Sequence, residues 1–440
     1  MKTFKLGGVH PEENKLSSGS AIEIFPVPEK VYISLSQHLG APAVPIVAKG
    51  DKVKTGDLIA KGEAFISANI HSSVSGTVEK IDEWIDTGGY KVPHVIINVE
   101  GDEWNDSIDR STELVKDIKL TSEEIIQKIK EMGVVGLGGA AFPTHVKFMI
   151  PEGKKADSLI INAVECEPYL TSDHRLMLER PNELLIGTQI LMKALKVEKA
   201  YIGIENNKKD AIELLSSLNY SGIEIVPLKV KYPQGAEKQL IKAVLGREVP
   251  SGKLPIDIGC VVNNSGSTFA TYEAVQKNKP LFERVVTVTG KTVGHPSNFL
   301  VRIGTPIGAL LKEVEVNMDE IGKIISGGPM MGKAIISSDV PVSKGTSGVL
   351  LMHENESHRG EVRNCIRCAK CVEACPMGLE PYLIAAVAKN ELWDEAEKAY
   401  VMDCMECGCC QFTCPSYRPL VDYLRVGKRN VGQIIRNRAK

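Results

Sequence analysis

The chain has 440 residues, of which 43% are hydrophobic and 25% charged, and its formal net charge at pH 7 is -2. This composition excludes a disordered or fibrous chain, and the length predicts several domains, since domains cluster at roughly 100–200 residues. The near-neutral charge gives no field that would attract nucleic acid. No apolar run approaches the roughly 20 residues of a membrane span, and the opening residues lack the apolar stretch of a secretory signal, so we expect a cytoplasmic chain that does not cross a bilayer.

The first unit of the chain reads as a small β structure. Between residues 44 and 81, short apolar strands alternate with Gly-Asp turns, a pattern similar to the sandwich of biotinyl and lipoyl carriers. A carrier needs a lysine at its exposed hairpin tip, and residues 68–71 contain none. We therefore predict that residues 1–110 form a barrel-sandwich scaffold without a swinging arm.

A helix and a glycine-rich loop follow. Thr121 and Glu124 form a capping box before an apolar stripe, which predicts a helix over residues 121–132. The loop at residues 133–147 contains a loose Rossmann fingerprint, but that fingerprint requires a preceding strand, and here a helix precedes it. Its glycines still let backbone amides approach a phosphate or a flat ring, and Lys147 adds a cation; a plain turn is the alternative.

Residues 115–275 alternate apolar strands with helices, which predicts a parallel α/β sheet. The strands are residues 158–161, 200–204 and 223–228, and the helices are residues 183–196 and 208–218. Three polar segments lie at strand exits or helix starts, where such sheets bind ligands. They are NAVECEPYLTSDHR (162–175), KYPQGAEKQ (231–239) and CVVNNSGST (260–268).

Nine of the eleven cysteines lie between Cys365 and Cys414, and this clustering favours a metal centre over disulfides. They form C-x2-C-x2-C-x3-C-P twice, which is the spacing of two-cluster ferredoxins, where the fourth ligand of each cluster comes from the other repeat. The predicted ligands are Cys365, Cys368, Cys371 and Cys414 for one [4Fe–4S] cluster and Cys404, Cys407, Cys410 and Cys375 for the other. Structural zinc is the alternative.

Several features near these motifs have two interpretations. Cys409 is either a bystander or a substitute ligand. Residues 381–404 read as helix, so we expect residues 355–420 to form a helical dicluster domain. The basic tail at residues 421–440 is either a solvated helix end or a surface for an acidic partner or anionic lipid. His145 and His174 lie in the ligand loops, and we expect them at the surface or in a supporting position.

Four segments resemble, in chain order, the flavin subunit of respiratory NADH dehydrogenase (complex I). They are GLGGAAFPTHVK from Gly136, NAVECEP from Asn162, YPQGAEK from Tyr232 and VVNN from Val261. The resemblance implies a complex-I-type α/β domain that binds FMN and stacks NADH on it, followed by an SLBB-like β-grasp domain at residues 280–350. The implied FMN contacts are Gly136, Gly138, Lys147, Asn162, Glu165, Gly235, Asn263 and Asn264, and the implied NADH contacts are Gly139, Ala140, Phe142, Glu167, Tyr232 and Glu237.

The sequence departs from that subunit at three positions. Ala141, Val164 and Ala236 stand where it has Gly, Asp and Glu. We predict Glu165 and Glu167 as the acidic residues that act in catalysis, with Glu165 tuning the flavin electrostatically. Hydride transfer between stacked rings itself requires no acid–base pair.

The opening FKLGGVHPEENK, residues 4–15, is similar to the RnfC family, a component of the Rnf ion-translocating ferredoxin:NAD+ oxidoreductase complexes, and the order of the later segments agrees. That resemblance implies a multidomain α/β protein with FMN, two [4Fe–4S] clusters and NAD+/NADH. A sister iron–sulfur subunit would deliver electrons from ferredoxin, membrane subunits would move Na+ or H+, and this chain would lie at the cytoplasmic face of the membrane. Two alternatives stay open: a cobalamin reductase of diol-degrading microcompartments, in which the sandwich lies toward the C-terminus, and an electron-relay scaffold without flavin.

Overall fold

The computed structural model describes residues 1–438, and its first unit is a β sandwich of two sheets. One sheet has the strand order Lys30–Ser34, Lys91–Val99, Gly76–Ile85 and Lys52–Val53, and the other has the order Val44–Pro45, Leu58–Lys61 and Ile70–His71. Alternate residues of each strand point inward. Val31 and Ile33 thus lie opposite Ile97 and Val95, and all four are fully buried.

The second unit is built on four parallel strands, in the order Ile223–Leu228, Ala200–Glu205, Ser158–Asn162 and Cys260–Asn264. Its helices are Ser122–Glu131, Thr144–Phe148, Ser172–Glu179, Pro181–Leu195, Lys209–Ser217, Glu237–Leu245 and Ser265–Gln276, with a 3-10 turn at Pro255–Ile258. Helices cover both faces of the sheet, which explains why Leu159, Ile160 and Ile161 are apolar in succession and fully buried. The capping box at Thr121 is present, and its helix begins one residue later.

A mixed sheet of six strands forms the third unit, with the helix Ile307–Lys312 packed into its core. Its strand order is Ile22–Ile24, Ser297–Arg302, Glu283–Thr289, Gly348–His353, Ile321–Ser326 and Lys333–Ala334. The first of these strands comes from residues expected in the sandwich, and it pairs in parallel with Ser297–Arg302. It is a short, mostly exposed edge strand, so it carries no alternating apolar pattern that sequence could reveal.

The cysteine-rich unit is helical, but its linker is not the single helix expected over residues 381–404. The structure has two helices there, Pro381–Lys389 and Trp393–Lys398, followed by a 3-10 turn at Val401–Asp403. Glu391, between them, has φ +58°, and a right-handed helix does not continue through a left-handed residue. The remaining helices of this part of the chain are Glu354–Ser357, Lys370–Glu373, Cys409–Phe412 and Leu420–Arg438.

The basic tail is part of this helical unit. Leu424 and Val431 on the helix Leu420–Arg438 are buried in the core of the unit. Arg425 lies 3.1 Å from the carboxylate of Glu406, and further basic groups pair with acidic side chains of the same unit. This helix is therefore amphipathic and packed along one side, rather than a fully solvated end. Lys440, the last residue of the basic tail, lies outside the described residues.

Within residues 1–438, none of the helices combines the length and the apolar character that crossing a membrane would require.

Candidate functional site

The glycine-rich loop lies against the start of the helix Ser265–Gln276. The N–H of Leu137 donates to Ser267 Oγ at 2.8 Å, and the N–H of Gly136 donates to the carbonyl oxygen of Phe142 at 2.9 Å, which closes the loop. A Cβ at Gly138 would lie 2.8 Å from Asn264 Nδ2 and 3.0 Å from its Cγ, so a larger residue there would displace the Asn264 side chain. We call this loop, together with the start of the helix Ser265–Gln276, the cradle.

Polar groups gather at the carboxyl ends of the parallel strands, as the sheet topology requires. Asn162 donates through Nδ2 to the carbonyl oxygen of Gly235 at 2.7 Å. Lys147 donates to the carbonyl oxygen of Val262 at 3.0 Å, and its Nζ lies 3.6 Å from Glu237 Oε1. The structure therefore brings together residues, such as Lys147 and Val262, that are 115 positions apart in sequence.

Asn263 and Asn264 point to opposite faces of their strand because side chains alternate. Asn264 faces the cradle, where its Nδ2 donates to Asp173 Oδ2 at 2.8 Å. Asn263 is 1% exposed and donates to Thr268 Oγ1 at 3.0 Å. The structure thus separates Asn263 from the other predicted side chains.

The predicted NADH contacts also fall into two groups. Gly139, Ala140 and Glu237 are exposed, and Phe142 is half-buried. Tyr232, by contrast, is only 2% exposed, and Glu167 lies next to it in the interface with the other units. The structure does not place these two groups on one open surface.

Glu165 has a structural use that the sequence did not reveal. Its carboxylate accepts hydrogen bonds from the N–H groups of Asp173, at 2.7 Å, and His174, at 3.2 Å, and so caps the helix Ser172–Glu179. Burial, and then the charge of Glu165, raise the pKa of Asp173 to about 6. Asp173, which accepts a hydrogen bond from Asn264, therefore lies at the cradle, although the sequence analysis did not single it out within the segment 162–175.

Glu167 and Tyr232 join three units of the protein. The carboxylate of Glu167 accepts from the N–H groups of Met330, at 3.1 Å, and Met331, at 2.8 Å, both in a loop of the six-stranded sheet. Burial raises the pKa of Glu167 to about 7. The Tyr232 hydroxyl lies 3.3 Å from Glu167 Oε1 and donates to the carbonyl oxygen of Cys407 at 2.8 Å. Glu167 is therefore part of an interface rather than a free acid.

The two predicted cysteine sets differ in their surroundings. Cys375, Cys404, Cys407 and Cys410 are buried and line one cavity, whose wall also includes Pro376, Leu379 and Leu424. Of the other set, Cys365 and Cys368 are exposed and Cys371 and Cys414 are half-buried, with the last two close enough to interact electrostatically. One set thus faces the interior and the other the surface.

The four inner cysteines line a cavity rather than converging on one point. Structural zinc would hold its thiolates about 2.3 Å from a single ion. Over the 438 described residues, no three His, Cys, Asp or Glu side chains converge as ligands of one metal ion. Cys409 is fully buried, and its Sγ lies 3.9 Å from the carbonyl oxygen of Tyr232, so it faces the flavin unit instead of the cavity.

His145 and His174 are both buried, so the expectation of a surface position is wrong for each, and the supporting position stays a prediction. The Nε2 of His174 lies 2.9 Å from Asp210 Oδ1. Burial lowers the pKa of His145 to about 4.

The residues present fit a flat ring that carries a phosphate. Besides the approach at Gly138, Thr144 Oγ1 in the loop 133–147 is buried with no hydrogen-bond partner among the described residues, and so is Asn263 Oδ1 on the other face of its strand. Ser265 begins the helix that follows a central strand, and the N–H groups of such a helix start favour an anion. The cysteine cavity likewise offers four thiols, which are the ligands that an iron–sulfur cube takes.

Comparison with protein families agrees with this geometry. Residues 129–273 match the Nuo51 FMN-binding domain, residues 2–102 match the RnfC barrel sandwich hybrid domain, and residues 358–415 match the 4Fe-4S dicluster domain. The fold and the two sites define an electron-transfer protein with FMN and two [4Fe–4S] clusters, which confirms the expected fold class and cofactors.

Similar proteins give the family. The C subunit of the proton-translocating ferredoxin:NAD(+) oxidoreductase complex of Clostridium ljungdahlii is 46% identical over 97% of this chain and 93% of that protein. The C subunit of the Na(+)-translocating complex of Acetobacterium woodii is 43% identical over 98% of this chain and 97% of that protein. The chain therefore belongs to the RnfC family, the C subunits of the Rnf ion-translocating ferredoxin:NAD+ oxidoreductase complexes.

A solved structure shares the fold. A chain of the NAD+-reducing [NiFe]-hydrogenase in its H2-reduced state aligns with a TM-score of 0.50 and 18% identity, over 70% of this chain and 62% of that chain. At this identity the likeness shows the fold alone.

Proposed function

We propose that this chain is the NAD(H)-binding subunit of an ion-translocating ferredoxin:NAD+ oxidoreductase complex. FMN, when bound, exchanges two electrons with NAD(H) and single electrons with an iron–sulfur cluster. In the overall reaction, two electrons delivered singly by reduced ferredoxin, together with one proton, convert NAD+ to NADH. The observation that carries the proposal is the hydrogen bond from the Tyr232 hydroxyl to the carbonyl oxygen of Cys407. Tyr232 lies in the segment beside the flavin cradle, and Cys407 belongs to the buried cysteine set.

The cradle residues would hold FMN in complementary ways. Gly136 and Gly138 let the loop backbone approach the ring, and Lys147 supplies a cation. Asn162, Gly235 and Asn264 form the floor at the strand ends, and the free Oδ1 of Asn263 remains a predicted contact from the other face. Glu165 acts through the helix that it caps, and through the charge that it places near Asp173.

The open side of the cradle would receive NADH. Gly139, Ala140 and Phe142 lie there, with Glu237 near Lys147. Tyr232 and Glu167 close the opposite side, where they exclude water and hold the loop of Met330 and Met331. Their proposed role is therefore to orient the site from the interface.

The positions of the two cysteine sets suggest the order in which electrons would pass through the two clusters. The buried set lies next to Tyr232, and the exposed set around Cys365 and Cys368 faces outward. The outer cluster would thus exchange electrons with a sister iron–sulfur subunit that accepts them from ferredoxin. By the same family relationship, the chain would be a peripheral subunit at the cytoplasmic face of the membrane, while membrane subunits move Na+ or H+.

Anaerobic purification with iron, sulfide and flavin analysis tests the proposal. We expect about eight iron atoms, since each cube holds four, and one FMN per chain. NADH should then bleach the flavin and reduce a cluster visible by EPR. A protein with zinc, or with iron but a colourless pocket and no NADH oxidation, would contradict the proposal; the latter result would favour the relay scaffold without flavin.

A further inference from the structure

The segment of residues 2–15, which we call the strap, runs along the boundary between the flavin unit and the cysteine-rich unit. The N–H of Val9 donates to the carbonyl oxygen of Tyr232 at 2.8 Å, and the N–H of Tyr232 donates back to the carbonyl oxygen of Val9 at 2.9 Å. One residue earlier, the N–H of Gly8 donates to the carbonyl oxygen of Ala374 at 2.9 Å. Gly8 and Val9, which are consecutive in the strap, thus bind the cysteine-rich unit and the flavin unit at neighbouring points.

The backbone of the strap approaches the backbones of both units more closely than a residue with a side chain would allow. Gly7 has φ +61°, and a Cβ there would overlap the carbonyl group of Cys375 and lie 2.7 Å from the nitrogen of Pro376. A Cβ at Gly8 would lie 2.9 Å from the carbonyl oxygen of Tyr232. Because Cys375 lines the buried cavity, a side chain at Gly7 would move a proposed cluster ligand relative to Tyr232.

Further along, the strap holds the loop that carries the acidic residues. Lys15 donates from Nζ to the carbonyl oxygens of Glu165 and Glu167, both at 2.9 Å, and to that of Leu170, at 2.7 Å. Its ammonium group therefore binds three carbonyls of one loop. Phe4 and Val9, at 2% and 6% exposure, anchor the strap between the units.

These contacts fall on the residues nearest the two sites: Tyr232 and the Glu165–Glu167 loop on one side, and the Ala374–Cys375 backbone on the other. We infer that the strap is a positioning element that fixes the spacing between the flavin cradle and the cavity of Cys375, Cys404, Cys407 and Cys410. It would thereby set the rate at which electrons pass between them. The inference rests on the proposed function and names residues that would act through others, without touching substrate.

The test compares Gly7→Ala with Gly101→Ala in the full-length, cluster-loaded protein. Gly101 has a similar φ of +69°, but a Cβ there would meet no described atom within 4 Å, so it controls for backbone strain alone. In Gly7→Ala we expect unchanged flavin reduction by NADH in stopped flow, and cluster reduction slowed several-fold, because the rate of electron transfer falls as the distance between donor and acceptor grows. Hydrogen exchange should rise at residues 228–234 and 372–378, and the EPR spectrum of the buried cluster should change.

Lys15→Met provides the second variant, because it removes the three hydrogen bonds and leaves the Cys375 contact intact. It should slow the same step at normal iron and flavin content, and it carries the test if Gly7→Ala fails to fold. Unchanged cluster reduction, exchange and EPR in a folded Gly7→Ala would overturn the inference, and so would an equal loss in Gly101→Ala. Failure of the proposed function itself would appear differently, as missing flavin or iron in the unaltered protein.

Discussion

At the scale of single residues, buried charge is concentrated around the flavin cradle. Glu205 ends a central strand, is 2% exposed and lies near Lys208 and Lys15. Burial raises the pKa of Glu205 to about 7 from an ordinary value of 4.5, with Lys208 opposing the shift. The folded state therefore holds this proton to higher pH than the unfolded state does.

This shift predicts how stability depends on pH. The protonated carboxyl group of Glu205 contributes to the free energy of unfolding. This contribution is fully present below about pH 4.5 and falls, by about 3 kcal/mol, as the pH rises through about 7. Glu205→Gln should flatten this dependence, measured as the midpoint of thermal unfolding between pH 5 and pH 8. Glu224→Gln, an exposed change on the neighbouring strand, is the control and should leave the dependence intact.

Glu165 allows a second prediction at this scale. Glu165→Gln keeps one acceptor oxygen for the N–H groups of Asp173 and His174 but removes the charge at the helix start. We expect the free energy of unfolding to fall by about 1 kcal/mol. A redox titration of the flavin separates this role from electrostatic tuning: a shifted potential supports tuning, and an unchanged potential leaves the helix cap as the function of Glu165.

At the scale of elements, the glycine-rich loop depends on one close approach. Gly138 lies against Asn264, while a Cβ at the next residue, Gly139, would meet no atom of residues 1–438 within 4 Å. Adjacent positions of the same loop thus provide a matched pair of substitutions.

We expect Gly138→Ala to weaken FMN binding about 10- to 100-fold, since forced overpacking typically costs about 1–3 kcal/mol. Gly139→Ala should bind FMN nearly as well as the unaltered protein. Fluorescence titration of the flavin-free protein with FMN measures both. Equal affinity of the two variants would show that the loop does not form the flavin cradle.

At the scale of the whole molecule, the protein separates an inner cysteine set from an outer one. The inner set adjoins Tyr232 and the strap, and the outer set is open to a partner. In the proposed relay, the two clusters would therefore have different neighbours and different roles.

Serine substitutions test that order. Cys365→Ser should disturb the outer cluster and leave a cluster that NADH reduces, seen by EPR of anaerobic samples. Cys404→Ser should abolish NADH-driven reduction of both clusters, because the route from the flavin passes through the inner set. If Cys365→Ser alone prevented all cluster reduction, the proposed order would be reversed.

Much of this organisation could be read from local sequence. The spacing of the cysteines predicted two cubes, because the ligands of each motif are neighbours in the chain. The capping box at Thr121 predicted where its helix begins, because capping depends on residues three positions apart. The break in the linker at Glu391 was not predicted. Residues of high helix propensity flank Glu391, and nothing in that local sequence indicates its left-handed backbone conformation.

The sequence by itself determined the modules, their order and the chemistry of their side chains, since each depends on residues close together in the chain. Only the tertiary structure decided that Glu165 caps a helix and that Glu167 and Tyr232 lie between units. The contacts of Glu167 with Met330 and of Tyr232 with Cys407 join residues that are 163 and 175 positions apart in sequence. They depend on how the units pack, and no local pattern of residues records that packing.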